Sequence, residues 1–175
     1  MPVELFKGLV TVLLAMVLSV PAFAQEQKEE PVPEPAQEGL VVGGNLKVGM
    51  SLEEAILLLG TPKEVIVKRG TEPLMDSIAI EYPEKGVVIF ALGKRPRIEG
   101  VELLPSFRGS FAEGIQLKAN FKDLINTYGK PGVLTKTDAR YPDKGIFFFL
   151  KDDEVVSAKV FDRNTKLLDF QLLAR

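Results

Sequence analysis

Cysteine and histidine are both absent from the 175 residues, and the two absences remove much familiar chemistry. Without cysteine there is no disulfide to staple the fold, no thiolate nucleophile and no N-terminal cysteine to carry a lipid. Without histidine the chain lacks the side chain most used as a general base and transition-metal ligand near neutral pH. Catalysis would have to rest on carboxylates, lysine, tyrosine or serine. Nor does one charge sign dominate: 22 Lys and Arg face 24 Asp and Glu. No basic block interleaved with aromatics is present to track a nucleic-acid backbone, so nucleic acid is not an expected partner.

What is present begins with a targeting pattern. Met1 to Lys7 is a short polar start, Gly8 to Val20 is apolar, and Pro21-Ala-Phe-Ala24 precedes Gln25 as an A-x-A cleavage site would. The apolar core from Leu9 to Val20 is twelve residues, short of the roughly 20 needed to span a bilayer. Residues 1–24 are therefore expected to be a signal peptide cut at Ala24/Gln25, placing the mature chain in the periplasm or outside the cell without a transmembrane segment. Gln25 to Glu38 reads QEQKEEPVPEPAQE, with five Glu and three Pro. It has too little to bury to offset the cost of ordering, and is expected to be an acidic, Pro-rich disordered linker.

Beyond the linker the chain repeats itself. Leu46-Lys-Val-Gly-Met-Ser-Leu-Glu-Glu-Ala-Ile-Leu-Leu-Leu-Gly60-Thr-Pro62 aligns without a gap on Ile115-Gln-Leu-Lys-Ala-Asn-Phe-Lys-Asp-Leu-Ile-Asn-Thr-Tyr-Gly129-Lys-Pro131. Leu52, Ala55, Ile56 and Leu59 match Phe121, Leu124, Ile125 and Tyr128 at i, i+3, i+4, i+7, one face of a helix in each copy. Ser51 and Asn120 stand at the N-cap, and Glu54 completes a capping box with Ser51. Gly60 and Gly129 are expected to end the helices in the left-handed conformation, and Pro62 and Pro131 forbid their continuation. A second shared block, Tyr82-Pro-Glu-Lys-Gly86 against Tyr141-Pro-Asp-Lys-Gly145, is a tight hairpin with glycine where positive φ is needed.

Strands are expected near Glu64 to Lys68, Ser77 to Tyr82, Gly86 to Leu92 and Ile98 to Leu104, then near Val133 to Thr137, Ala139 to Tyr141, Gly145 to Lys151 and Val155 to Phe161. Leu167 to Leu173 would add a last strand or short helix. The hairpin blocks lie 59 residues apart and the helix stops 69, so the second copy has lost residues between helix and hairpin and its first hairpin must be tighter. The resulting fold class is α+β: two tandem units, 39–111 and 112–175, each a short helix followed by a four-stranded antiparallel meander. One helix covers only part of a sheet face, so the units gain by joining edges or sharing a core and leave a broad, half-exposed sheet surface.

A Gly-Met-Ser-Leu-Glu-Glu helix closed by Leu-Gly-Thr-Pro and followed by an antiparallel meander resembles the superfamily of the β-lactamase-inhibitor protein. The same Gly-Met-Ser and Leu-Gly-Thr-Pro pattern is similar to that of the SmpA/OmlA outer-membrane lipoproteins, accessory subunits of β-barrel assembly. The resemblance runs from about Val42 to Phe161. It implies a fold and a habit of binding other proteins, and leaves the target open.

The remaining motifs divide into turns and candidate contacts. Asp152-Asp153-Glu154 is the tightest acidic cluster beyond the linker and is read as a polar turn between strands, since no EF-hand spacing accompanies it. Gly43-Gly44-Asn45 lacks the Gly-Lys-Ser/Thr ending of a phosphate loop and reads as a flexible lead-in to the first helix. Lys94-Arg95-Pro96-Arg97 reads as a solvated basic loop, the alternative being contact with anionic headgroups. Phe147-Phe148-Phe149 presents aromatics to both faces of its strand, where an uncovered patch would mark a docking site. The candidate partner-binding residues are Tyr82, Lys85, Tyr141, Lys144 and Phe148, because tyrosine is enriched at interface hot spots and both tyrosines neighbour a lysine; turn geometry explains the Pro, acid and Gly of the same motif. No catalytic, cofactor-binding or metal-binding residue is nominated. The functional expectation is a non-enzymatic protein–protein interaction module of the cell envelope with an unidentified protein partner. The alternatives are an inhibitor of an extracytoplasmic enzyme or an accessory factor in outer-membrane assembly.

Overall fold

The computed structural model describes residues 39–73 and 76–165, all within the compact unit Glu38–Arg175. The expected signal segment, the acidic linker and the element at Leu167 to Leu173 lie outside the described residues. The fold is α+β, with two helices and a large antiparallel sheet.

Helix α1 (Leu52–Leu59) and helix α2 (Phe121–Tyr128) form where the apolar spacing placed them. Ser51 Oγ accepts from the Glu54 amide at 3.1 Å, and the Glu54 carboxylate accepts from the Ser51 amide in return. A reciprocal box also closes α2, where Asn120 Oδ1 accepts from the Asp123 amide at 2.9 Å. Aspartate at that third position does what glutamate does in α1. Gly60 and Gly129 have φ of +78° and +80°, but ψ near −157° and −164°. They occupy the extended positive-φ region that is essentially glycine-only, not the left-handed helical well, so the chain leaves each helix straight into the following proline.

The strands are β1 (Val41–Val42), β2 (Glu64–Lys68), β3 (Ser77–Tyr82), β4 (Val87–Leu92), β5 (Arg95–Leu103), β6 (Ser110–Phe111), β7 (Val133–Leu134), β8 (Asp138–Tyr141), β9 (Ile146–Lys151) and β10 (Glu154–Phe161). Eight of them form one sheet in the order β2-β3-β4-β5-β10-β9-β8-β7, every neighbouring pair antiparallel. The join at its centre is β5 against β10, with Leu103 opposite Ala158, Glu102 opposite Lys159 and Val101 opposite Val160. As the spacing required, the turn from β7 to β8 is shorter than that from β2 to β3.

Alternation along the strands sorts side chains onto two faces. The helix-side face carries Ile80, Tyr82, Val87, Ile89, Val101, Leu103, Tyr141, Phe148 and Val155, packed with Ala55 and Leu59 of α1 and Leu124 and Tyr128 of α2. At its heart Phe111, Tyr128 and Tyr141 surround Phe148 with ring centroids 5.2 to 6.0 Å apart, close enough for edge-on aromatic contacts. The opposite face gathers Ala79, Val88, Phe90, Leu92, Phe147 and Phe161 into a second cluster. Those six are buried, so the middle of that face is not the half-exposed surface expected.

Two loops also differ from expectation. Gly43-Gly44-Asn45 is a hydrogen-bonded turn: Asn45 Oδ1 accepts from the Val41 amide at 2.8 Å, and β1 pairs in parallel with β6, seating Val42 and Leu46 in the core. Arg95 and Arg97 belong to β5 and not to a solvated loop. Arg97 Nε lies 3.1 Å from Glu99 Oε1, and Glu99 is fully buried, while Lys94, Arg95 and Pro96 stay exposed as expected.

Candidate protein-binding surface

The five nominated residues separate on inspection. Tyr82, Tyr141 and Phe148 are core side chains, 3%, 4% and 0% exposed respectively. The tyrosines fall on the helix side because each is the last residue of its strand in a register that points it inward, opposite Val87 and Ile146. They therefore present no anchor to a partner, and neither does Phe148. Lys144 is exposed and Lys85 half-buried, but a lysine without its aromatic neighbour is a weak anchor. Lys85 lines a depression of about 230 Å³ together with Thr61, Lys63, Tyr82, Pro83 and Glu84. Burial pushes the Tyr82 and Tyr141 hydroxyls above the ordinary phenol value. Tyr128 is pushed up further, first by burial and then by its 2.8 Å hydrogen bond to Glu113.

The acidic cluster forms the turn joining β9 to β10. Asp152 and Asp153 take φ of +52° and +65° and Lys151 pairs with Glu154, the geometry of a two-residue hairpin, which aspartate tolerates better than most residues. Among the described residues no group of three or more Asp or Glu side chains is placed to hold a metal ion.

Sequence reasoning missed a set of exposed apolar side chains on α1 and on the edge strand β2. Ile56 and Leu57 of α1 are 39% and 79% exposed, and Val65 and Val67 of β2, the next element along the chain, are each 54% exposed. Val65 and Val67 sit opposite Ile80 and Ile78 on the helix-side face. That face is covered by the helices toward the middle of the sheet and left uncovered at β2. On the far edge Val133 and Leu134 are also exposed, but β7 is only two residues long. The signal was in the alignment: Ile56-Leu57-Leu58 faces Ile125-Asn126-Thr127, so α1 carries two leucines where α2 carries polar residues, and Leu57 lies off the buried stripe.

A contiguous patch of exposed apolar side chains is the usual mark of a protein-docking surface, and Val65 and Val67 share one exposed face of an edge strand. Among the described residues no helix is long and apolar enough to cross a membrane. No protein-family model, curated protein or solved structure matches the chain. The surface has to be read from its own chemistry.

Proposed function

We propose that this chain is an exported, non-enzymatic protein–protein interaction module of the cell envelope. In this reading it is built from two tandem α+β units and docks through the exposed apolar side chains of Ile56 and Leu57 on α1 and of Val65 and Val67 on β2. The observation that carries it is the exposure of those four large apolar side chains on elements consecutive along the chain, with Val65 and Val67 side by side on one face of an edge strand, since exposed apolar surface of that kind costs solubility unless something covers it. Export is supported by the A-x-A pattern at Ala24, and an extended acidic linker would hold the folded part away from whatever surrounds the N-terminus.

The tandem reading has support beyond the sequence alignment. Gly49 and Lys118 are aligned positions with little else in common, yet both take positive φ, +86° and +71°. Gly49 donates its amide to the Ile98 carbonyl at 2.8 Å and Lys118 donates to Val155 at 2.7 Å. Each thereby hooks its helix N-terminus onto β5 or β10. The same backbone device on two different residue types argues for duplication of a unit. The resemblance to the β-lactamase-inhibitor and SmpA/OmlA proteins is of the same kind, and favours partner binding over catalysis.

The test is an affinity capture from the native envelope fraction, with wild type, Leu57→Asp and Lys144→Ala as baits. A stoichiometric partner retained by Lys144→Ala and lost with Leu57→Asp is expected, and its identity separates an enzyme inhibitor from an assembly factor. Equal capture by all three baits, or none above background, overturns the docking surface.

A further inference from the structure

We propose that β2 pairs edge to edge with β2 of a second copy of this chain, forming a two-fold symmetric dimer with a continuous sheet across the join; this deepens the reading of the same surface and rests on it. Among the described residues β2 pairs with β3 alone, which leaves one side of a five-residue strand with backbone groups to offer. Such an edge is a template for another strand unless it is blunted. The opposite edge is blunted by brevity, since β7 spans only Val133–Leu134. β2 has no proline and no bulge, and its five residues pair with β3 in unbroken register.

The sequence of β2 says what fits it. Glu64-Val65-Ile66-Val67-Lys68 is self-complementary when run antiparallel to itself about Ile66. Glu64 then faces Lys68 of the other copy and Lys68 faces its Glu64. Val65 faces Val67, and Ile66 faces Ile66 on the axis. Alternation keeps each pair on one face: Val65 and Val67 on the helix side, Glu64, Ile66 and Lys68 on the other, as fixed by their partners Ile80 and Ile78 against Glu81, Ala79 and Ser77. Pairing would thus place four exposed valines side by side and two opposite charges at each end, each such cross-strand pair being favourable. Because the surface meets itself, the contact is isologous and closes at two copies instead of growing into a filament. Every other register shortens the paired segment and brings Glu64 or Lys68 against an apolar residue or against like charge. Leu57 remains outside the paired strands and available to a different protein.

The absence of cysteine makes the geometry directly testable. Ile66→Cys is expected to give a disulfide-linked dimer under mild oxidation of the purified protein, since the residue faces itself across the axis. Val65→Cys and Val67→Cys are each expected to cross-link poorly alone, because a residue and its own copy would be diagonal, roughly 7–8 Å apart. An equimolar mixture of the two cross-links well. In sedimentation equilibrium, Glu64→Lys or Lys68→Glu puts like charges together at both ends of the join and weakens the dimer roughly tenfold. The exchanged double variant Glu64→Lys/Lys68→Glu restores it. All these side chains are exposed or half-buried in the single chain, so folding is not at stake, and circular dichroism of each variant confirms it. A monomer at every concentration, failure of the exchanged variant to restore association, or a Val65→Cys chain that links to itself better than to Val67→Cys overturns the proposal. Those outcomes are independent of whether Leu57→Asp abolishes capture of another protein.

Discussion

The hydroxyl of Tyr141 donates a 3.0 Å hydrogen bond to the carbonyl of Gly129, the residue that ends α2. The aligned hydroxyl, that of Tyr82, is buried and has no hydrogen-bond partner among the described residues. Removing each hydroxyl should therefore have opposite consequences. Tyr141→Phe loses a bond whose acceptor is exposed enough to be rehydrated, and costs about 1 kcal/mol. Tyr82→Phe removes an unpaired buried polar atom, and should be neutral or stabilising by up to about 1 kcal/mol. Urea unfolding of the two variants measures the difference, and equal destabilisation by both would show that the Tyr82 hydroxyl is paired in solution.

The two Tyr-Pro hairpins should tolerate no side chain at their glycines. Gly86 and Gly145 both take φ of +68°, and a methyl group on either would overlap backbone: that of Phe107 for Gly86 and the Phe161 carbonyl for Gly145. Strain and overlap together predict a loss above about 3 kcal/mol for Gly86→Ala or Gly145→Ala. Gly114→Ala is the control. It has φ of +88° but open space around an added Cβ, so only the conformational cost of about 1 kcal/mol remains. Thermal unfolding of the three variants tests the ranking.

Lys118 carries a left-handed strain that its aligned partner Gly49 does not. Its φ of +71° costs a non-glycine residue roughly 1 kcal/mol, partly offset by the freer unfolded state that glycine brings. Lys118→Gly is expected to be stabilising by up to about 1 kcal/mol, whereas Gly49→Lys is destabilising. A loss of stability with Lys118→Gly would mean that the lysine side chain contributes something its backbone does not explain.

Most of the framework was readable because local chemistry and tertiary packing agree along it. Helix spacing, N-caps, proline stops and the strand alternation of Ser77 to Tyr82 or Val155 to Phe161 all point to the elements that form. The candidate tyrosines are buried for a physical reason. The Tyr-Pro-acid-Lys-Gly motif is set by turn geometry, and turn geometry says nothing about which face the tyrosine takes. That depends on register, which places Tyr82 opposite Val87 and Tyr141 opposite Ile146 in the core. The exposure of Ile56, which lies on the apolar stripe, depends similarly on where α1 lies across the sheet, a tertiary fact that its apolar sequence conceals. Buried Glu99 lay beyond reach too, since nothing local shows that Arg97 would follow it inward.

That Arg97–Glu99 contact makes a prediction of its own. The Glu99 side chain is 1% exposed and its near cations are Arg97 at 3.1 Å and Arg95 at 3.9 Å, with Arg97 also 3.5 Å from Asp162. Arg97→Ala deprives a buried carboxylate of its shortest charged hydrogen bond. Because Arg97 is itself 43% exposed, solvent screening reduces the loss to about 2 kcal/mol, below what a fully buried pair would show. In a Glu99→Leu background the same Arg97→Ala change should cost much less, with a coupling above about 1 kcal/mol in the double-mutant cycle. Additive effects would remove the ion pair from any account of why β5 begins where it does.

Stability should fall at both ends of the pH scale, for different residues. Burial works to raise the pKa of Asp138, but hydroxyl hydrogen bonds from Thr135 at 2.9 Å and Thr137 at 3.0 Å, with the charge of Arg140, outweigh it and hold the carboxyl below its ordinary value. A depressed native pKa means its contribution is complete above the unfolded-state value of about 4 and is lost as pH falls below it. Tyr128, Tyr141 and Tyr82 are raised, chiefly by burial, and the sign reverses. Their contribution is complete below the unfolded-state value of about 10 and is lost as pH climbs from there toward the raised native values. Chemical denaturation between pH 3 and 11 (roughly the span of those two transitions) should show a plateau with two falling limbs. Thr135→Val/Thr137→Val should flatten the acid limb alone. Tyr128→Phe, which removes the most strongly shifted phenol, should flatten the alkaline one. An alkaline limb of unchanged slope in Tyr128→Phe would show that this hydroxyl, 2.8 Å from Glu113, ionises no less readily in the folded chain than in the unfolded one.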